Sequence, residues 1–277
     1  GYAGLMNVGI MGFAALGGLS AVLVAMPPIE GAWDKGGWGA LGGLLIAVIS
    51  IGLAVFTYKN MKSGRYRTIS IVAICIIGFF LSRLIFSPAT QAIESINPAK
   101  SGYLGGLGLP IVISWPIGGL FAGIAAWVIG KITLGLRSDY LAIATLGISE
   151  IIIAVLKHED WMTRGVKNVI GMPRPVPYEV NLQSTPWFLE LCNWLGAYQV
   201  GFSSIFVKIC YAGLFITMLL IVLWLSETAL KSPWGRMMRA IRDNEVSANA
   251  MGKNVTKRHL QVFVLGSVVV GLAGAML

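Results

Sequence analysis

Apolar residues run in long uninterrupted blocks along this chain, near 1–26, 39–58, 68–86, 109–130, 140–156, 203–225 and 260–277, with polar residues gathered in the intervals. At a rise of about 1.5 Å per residue such blocks cross a hydrocarbon core of about 30 Å, the 140–156 block at the short limit. The blocks are continuous rather than alternating, which argues against strands, and an open sheet would leave backbone groups unpaired in lipid. The pattern predicts an all-α fold: a polytopic transmembrane helix bundle of about seven spans, built as one domain over 1–277.

Composition agrees with that solvent. Apolar residues make up 56% of the chain and charged residues 12%, more apolar surface than a water-soluble core can use. Orientation follows from Lys and Arg, which are retained on the cytoplasmic side of short loops. If loops alternate, one side receives thirteen of them, including Lys59, Arg65, Arg67, Lys131, Arg137 and the cluster from Lys231 to Arg258. The other side receives six, among them Lys35, Lys157 and Arg174, interspersed with acidic residues. Residues 227–259 are therefore expected in the cytoplasm and 158–202 as an external loop. The net charge of +9 is accounted for as topology signals beside anionic headgroups, and no basic patch with stacking aromatics suggests nucleic acid. The chain begins at Gly1 without an initiator Met and stops at Leu277 inside an apolar run, so further helices are expected to flank it.

Catalytic chemistry is not evident. A phosphate-cradling loop needs G-x-x-x-x-G-K-[ST]; around Gly130-Lys131 the first glycine position is Ala125 and the hydroxyl position Ile132, so no nucleotide is expected to bind by that device. His158 and His259 fall on opposite sides of the expected membrane and read as interfacial loop residues rather than metal ligands or bases. Cys75, Cys192 and Cys210 have no metal spacing and imply no disulfide framework. No catalytic residue, metal site or cofactor is expected.

Small residues say more. Gly119-xxx-Gly123 and Ala122-xxx-Ala126-xxx-Gly130 form a stripe on the 109–130 span, and Ser267-xxx-Gly271-xxx-Ala275 repeats it near the end. Such stripes let helices approach closely, and bundle packing is their expected role. The first block differs: Gly1, Gly4, Gly9, Gly12, Gly17 and Gly18 with polar Asn7 make a poor continuous helix and predict a broken or re-entrant one at 1–26.

In the cytoplasmic segment, Ser232-Pro233 reads as an N-cap and first turn, Gly252 as a stop, and Thr256 as the cap of the next span. Between them one helix is expected over 232–252. Trp234, Met237, Met238, Ile241, Ala248 and Met251 form its apolar stripe, and Arg236, Arg239, Arg242 and Asp243 its charged face. Such a helix either rests on lipid or inserts into a groove of a soluble partner.

The run from Trp234 through Arg242, Asp243, Asn244 and Glu245 to Ala248, Ala250 and Gly252 resembles the cytoplasmic loop of LivM-type permeases of branched-chain amino acid importers of the ATP-binding-cassette class. Two further blocks agree. Leu136 to Ile151 is similar to that family's R-G-D-Y-L-A-I-x-T-L-x-x-x-E-I signature, with Ser138 in place of Gly and with Thr145 and Glu150 at its Thr and Glu. Asn7-Val8-Gly9 through Phe13 and Gly17 resembles its S-L-G-x-x-x-F-x-x-x-G stretch. Residues 27–108 are longer than the family's usual spacing and suggest an added pair of helices.

The resemblance implies a multi-pass protein of the bacterial inner membrane, working with a second related permease subunit, two cytoplasmic ATPase subunits and an external solute-binding protein. Its implied solute is a branched-chain or other neutral amino acid. A urea or short-amide permease, then a sugar permease, are the alternatives within transport; an ion channel or a structural scaffold are those outside it. Trp234, Arg236, Arg239, Ile241, Arg242, Glu245 and Gly252 are the expected coupling residues, and Asn7, Gly9, Gly12, Phe13, Thr145 and Glu150 the expected pathway residues. Depth along the spans matches Glu150 to Lys208, with Arg83 as second choice; either a structural ion pair or a solute site follows.

Overall fold

The computed structural model describes residues 7–29, 31–61, 64–96, 102–135, 138–163, 165, 169, 171–196 and 198–277. Part of the expected break within 1–26, the basic residues Lys62, Lys100, Arg137, Arg164 and Lys167, and Leu136 of the signature lie outside them. In chain order the helices are α1 (Ile10–Ala25), α2 (Trp38–Asn60, entered through a wide turn Trp33–Gly37), α3 (Arg65–Glu94), α4 (Ile111–Thr133), α5 (Ser138–His158), α6 (Asp160–Thr163), α7 (Glu179–Gln183), α8 (Pro186–Leu195), α9 (Gln199–Lys231), α10 (Pro233–Asp243), α11 (Glu245–Ala250) and α12 (Val255–Met276). The fold is all-α; among the described residues the only extended pairing is an isolated bridge between Pro28 and Gly105.

Among the described residues six helices are long and apolar enough to cross a membrane: Trp33–Asn60, Arg65–Glu94, Ile111–Thr133, Tyr140–His158, Gln199–Lys231 and Val255–Met276. The seventh apolar block yields α1, whose 16 residues amount to about 24 Å, short of a full crossing. Several helices outrun their apolar blocks because hydropathy marks only the part suited to lipid. Helix α9 continues through Glu227 and Lys231, whose side chains pair at 2.6 Å one turn apart.

The chain divides into two compact units: Gly1–Ala25 with Pro110–Ile153 and Met172–Leu277, and Met26–Leu109 with Ala154–Gly171. In the first, α1, α4 and α12 pack through the small-residue stripes. Ala122, Ala126 and Ser267 are fully buried, and a side chain at Gly271 would strike Ala122 and the backbone of Gly118. A side chain at Gly17 would strike the backbone of Gly271, and one at Gly274 that of Ala14. The two stripes therefore meet each other, and α1 supplies a third. Phe13 closes the core edge-on against Phe263 at 5.8 Å.

In the second unit α2 and α3 form a hairpin. Ser82 donates to the Gly43 carbonyl at 2.8 Å, and Ala32, Ala40, Ala89, Ile93, Leu104 and Trp161 make the core. Trp161 donates its indole N–H to Glu159 at 2.6 Å, accepts the Leu104 amide at its carbonyl at 2.9 Å, and meets Phe86 edge-on. The hairpin falls within the stretch expected to carry an added helix pair.

The segment 158–202, expected as an external loop, contains the short helices α6, α7 and α8. Helices α7 and α8 are five and ten residues long, below the length at which a hydropathy window responds. They pack on α9 through Val176, Leu182, Phe188, Cys192 and Val207, with Phe188, Phe202 and Phe206 in mutual ring contact.

Candidate functional site

Helix α5 presents Leu141, Thr145 and Ser149 on one buried face, four residues apart and hence stacked along the helix. The start of α1 lies against that face. The Thr145 hydroxyl accepts the Val8 amide at 3.3 Å and the Ser149 hydroxyl accepts the Gly12 amide at 2.8 Å, while the Asn7 side chain accepts the Gly9 amide at 3.0 Å. Two amides that the start of a helix leaves without intrahelical partners, those of Gly9 and Gly12, and that of Val8 just before it are thus supplied by side chains. The glycines make this approach feasible. A Cβ on Gly12 would sit 2.9 Å from the Ser149 Cα, and one on Gly9 would press on the Thr145 carbonyl.

Of the expected pathway residues, Asn7, Gly9, Gly12 and Thr145 therefore converge. Phe13 does not; it is 3% exposed in the α1–α4–α12 core. Ser149 was missed, although its four-residue spacing from Thr145 against Gly9 and Gly12 was a usable signal.

Glu150 turns the other way. It is exposed on α5, and Lys208 is exposed on α9; among the described residues neither takes part in an ion pair or hydrogen bond. The pair expected from matched depth is not formed. Equal depth constrains position along a helix axis; it fixes neither rotation about the axis nor which helices pack together. Arg83 is likewise exposed on α3.

The 232–252 segment holds two helices where one was expected. Ser232 caps α10, accepting the Gly235 amide at 3.3 Å, and Pro233 occupies its first turn as expected. Asn244 then breaks the run: its amide donates to the Ala240 carbonyl, ending α10, and its side chain accepts the Ser247 amide at 2.9 Å, starting α11. Gly252, at φ +77, stops α11 as expected. The next span is capped by Asn254, which accepts the Lys257 amide at 2.9 Å, rather than by Thr256. Asn accepts amides as readily as Thr, and here it lies two residues earlier.

Helix α10 is packed home. Met238 and Ile241 are 2% exposed against Val255, so Ile241 serves this chain's own core instead of an outer face. Trp234 packs on the same cluster and donates to Gln261 at 3.4 Å, and Gln261 also accepts from Arg258. Arg239 donates to the Leu230 carbonyl at 3.3 Å, tying α10 to the end of α9, and Arg242 contacts neighbouring Asp243 at 3.0 Å. Arg236, Glu245 and Gly252 are exposed. The expected apolar stripe stops short of Met251, which is 80% exposed, as is Val246. The break at Asn244 rotates α11 out of register with α10, so one periodicity cannot bury both. His259, expected in a loop, lies in the first turns of α12 with a buried Nε2 that has no partner.

The chain as a whole places a short polar-capped helix start against α5 and a two-helix segment between α9 and α12, half anchored and half free. A family described as branched-chain amino acid transport system, permease component, matches residues 69–277. No curated protein and no solved structure matches the chain.

Proposed function

Because the chain belongs to the permease family of branched-chain amino acid transport systems, matched over residues 69–277, we propose that it is the membrane-spanning subunit of an ATP-driven importer. The solute is a branched-chain or other neutral amino acid. The observation that carries the reading is the family match, which runs from within α3 through the cytoplasmic segment to α12. Six membrane-length helices support a multi-pass protein, and the basic bias of one side supports an orientation in the bacterial inner membrane with α10 and α11 in the cytoplasm.

In this reading the nucleotide is bound by two ATPase subunits, and a second related permease completes the pathway to which an external binding protein delivers solute. The cytoplasmic segment supports coupling by its division of labour. Helix α10 is fixed to the chain by Trp234, Met238, Arg239 and Ile241, so a push on it reaches α9 and α12. Helix α11 presents Val246 and Met251 with Glu245 and Arg242 nearby in sequence, a small apolar anchor with a charged rim of the kind soluble partners bury.

The test is uptake into vesicles carrying the complete complex and its binding protein. Leucine should accumulate only with ATP, and urea and ions should not. Flux without ATP would favour a channel, and absence of any flux a scaffold. Val246→Asp with Met251→Asp should release the ATPase subunits on purification while leaving the membrane subunits together; retention of the ATPases would remove α11 from the docking surface.

A further inference from the structure

Glu150 lies near the middle of α5, about 12 Å along the axis from His158 and about 15 Å from Tyr140 at 1.5 Å per residue. At 100° per residue it lies about 140° around the helix from the centre of the Leu141, Thr145 and Ser149 seam, so it cannot share the contact with α1. Its own face carries Ile143 and Leu146, both exposed, and Gly147, where an added side chain would meet nothing within 4 Å; exposed Ile151 flanks it about 100° around the helix. Lys157 shares that face, about 20° around the helix but about 10 Å further along the axis at the end of the span, and among the described residues it makes no ion pair with Glu150.

A carboxylate at such depth is costly in lipid, where central Asp, Lys or Arg costs about 2.5–3.5 kcal/mol on insertion scales, so it faces protein or water and meets a cation. The cations at comparable depth in this chain do not supply one: among the described residues Lys208 and Arg83 make no ion pair with it. At the depth of Glu150 the face therefore offers one anion in aliphatic surroundings, with bare backbone at Gly147 one turn away. That is the complement of a small molecule carrying one ammonium group and an aliphatic side chain.

We propose that Glu150 receives the ammonium group of the transported solute, while the bare backbone at Gly147, between Ile143 and Ile151, accepts its apolar side chain. The assignment rests on the importer reading above and narrows it. A neutral amide such as urea can donate hydrogen bonds to a carboxylate but brings no charge to pair with it, whereas the ammonium group of an amino acid supplies both. The seam on the opposite face of α5 holds the helix in the rotation that presents Glu150, through the Ser149 and Thr145 hydroxyls.

The experiment compares the whole complex, with saturating binding protein, in proteoliposomes. Leucine, glycine, urea and 4-methylpentanoate, which is leucine without its ammonium group, serve as probes. Wild type should take up leucine and not 4-methylpentanoate. Glu150→Gln should lower leucine uptake by about tenfold to a hundredfold, the loss of one charge-assisted hydrogen bond, with all subunits still co-purifying. Glu150→Asp should recover part of the rate. Gly147→Leu, which retains the carboxylate, should slow leucine more than glycine. Wild-type leucine uptake by Glu150→Gln would overturn the assignment. So would loss of the second permease from the Glu150→Gln complex, since the carboxylate would then be pairing with that subunit. If wild type itself carries urea and not leucine, the importer reading's choice of solute fails first, and that result is distinct from either.

Discussion

Helix α1 has two seams built on opposite principles. Toward α4 and α12 it offers Gly17, Phe13 and the backbone of Ala14 to Gly271, Phe263 and Gly274, and close contact dominates that side, joined by one bond from the Ser20 hydroxyl to the Ser114 carbonyl at 2.9 Å. Toward α5 it offers amides of its first turn to the hydroxyls of Thr145 and Ser149. In a membrane, burial of apolar surface does not drive helices together, so the first seam depends on many short contacts that are lost together if the backbones part. The second depends on two directional bonds that can break and re-form one at a time. The difference teaches which side of α1 is fixed and which can move while the fold persists.

The contrast can be broken most severely at its tight side. Gly271→Leu places bulk against Ala122 and Gly118 and should destabilise the protein by more than about 3 kcal/mol, the upper end for overpacking, read as loss of the monodisperse complex in detergent. Next comes Phe13→Ala, which removes the ring against Phe263. Since lipid replaces water as the reference, only the cavity and lost contacts count, and a fall of about 2 kcal/mol is expected in a thermal or denaturant titration.

On the polar side the effects shrink and change kind. Ser149→Ala removes the 2.8 Å acceptor of the Gly12 amide and should cost about 1 kcal/mol in stability, with an altered transport rate as the more telling readout. Thr145→Val keeps the volume and removes a longer bond, 3.3 Å, for about half that cost. If the two hydroxyl variants destabilised as much as Phe13→Ala while transport per folded complex stayed normal, the distinction between a fixed and a movable seam would collapse.

Much of the tight seam was legible in the residues, because a stripe of Gly, Ala and Ser every fourth position has few uses other than close helix approach. The polar seam was half legible. Asn7, Gly9 and Gly12 stood out as poor helix formers, but Ser149 is an ordinary helix residue until Gly12 is seen opposite it. The Glu150–Lys208 pair failed because sequence yields depth and leaves rotation open. In the 232–252 segment, Ser232-Pro233 and Gly252 marked the ends correctly, since each has one strong conformational preference. Asn244 gave no comparable warning: Asn is tolerated inside helices, and only its backbone at φ −155 and ψ 99 reveals the break. Helices α7 and α8 escaped because their burial depends on aromatic partners in α9 that are distant in sequence.

The length of α9 has a further consequence for how the protein meets its bilayer. Its 33 residues measure about 50 Å against a hydrocarbon thickness of about 30 Å. The excess cannot all be absorbed by moderate tilt, and the polar turns from Ser226 to Lys231 are the part suited to leave the lipid. Through the bond from Arg239 to Leu230 those turns carry α10 with them. The local thickness of the membrane thereby sets the height at which α11 stands relative to its surface, and bilayers of longer acyl chains should draw Val246 and Met251 toward the headgroups while thinner ones hold them out in water.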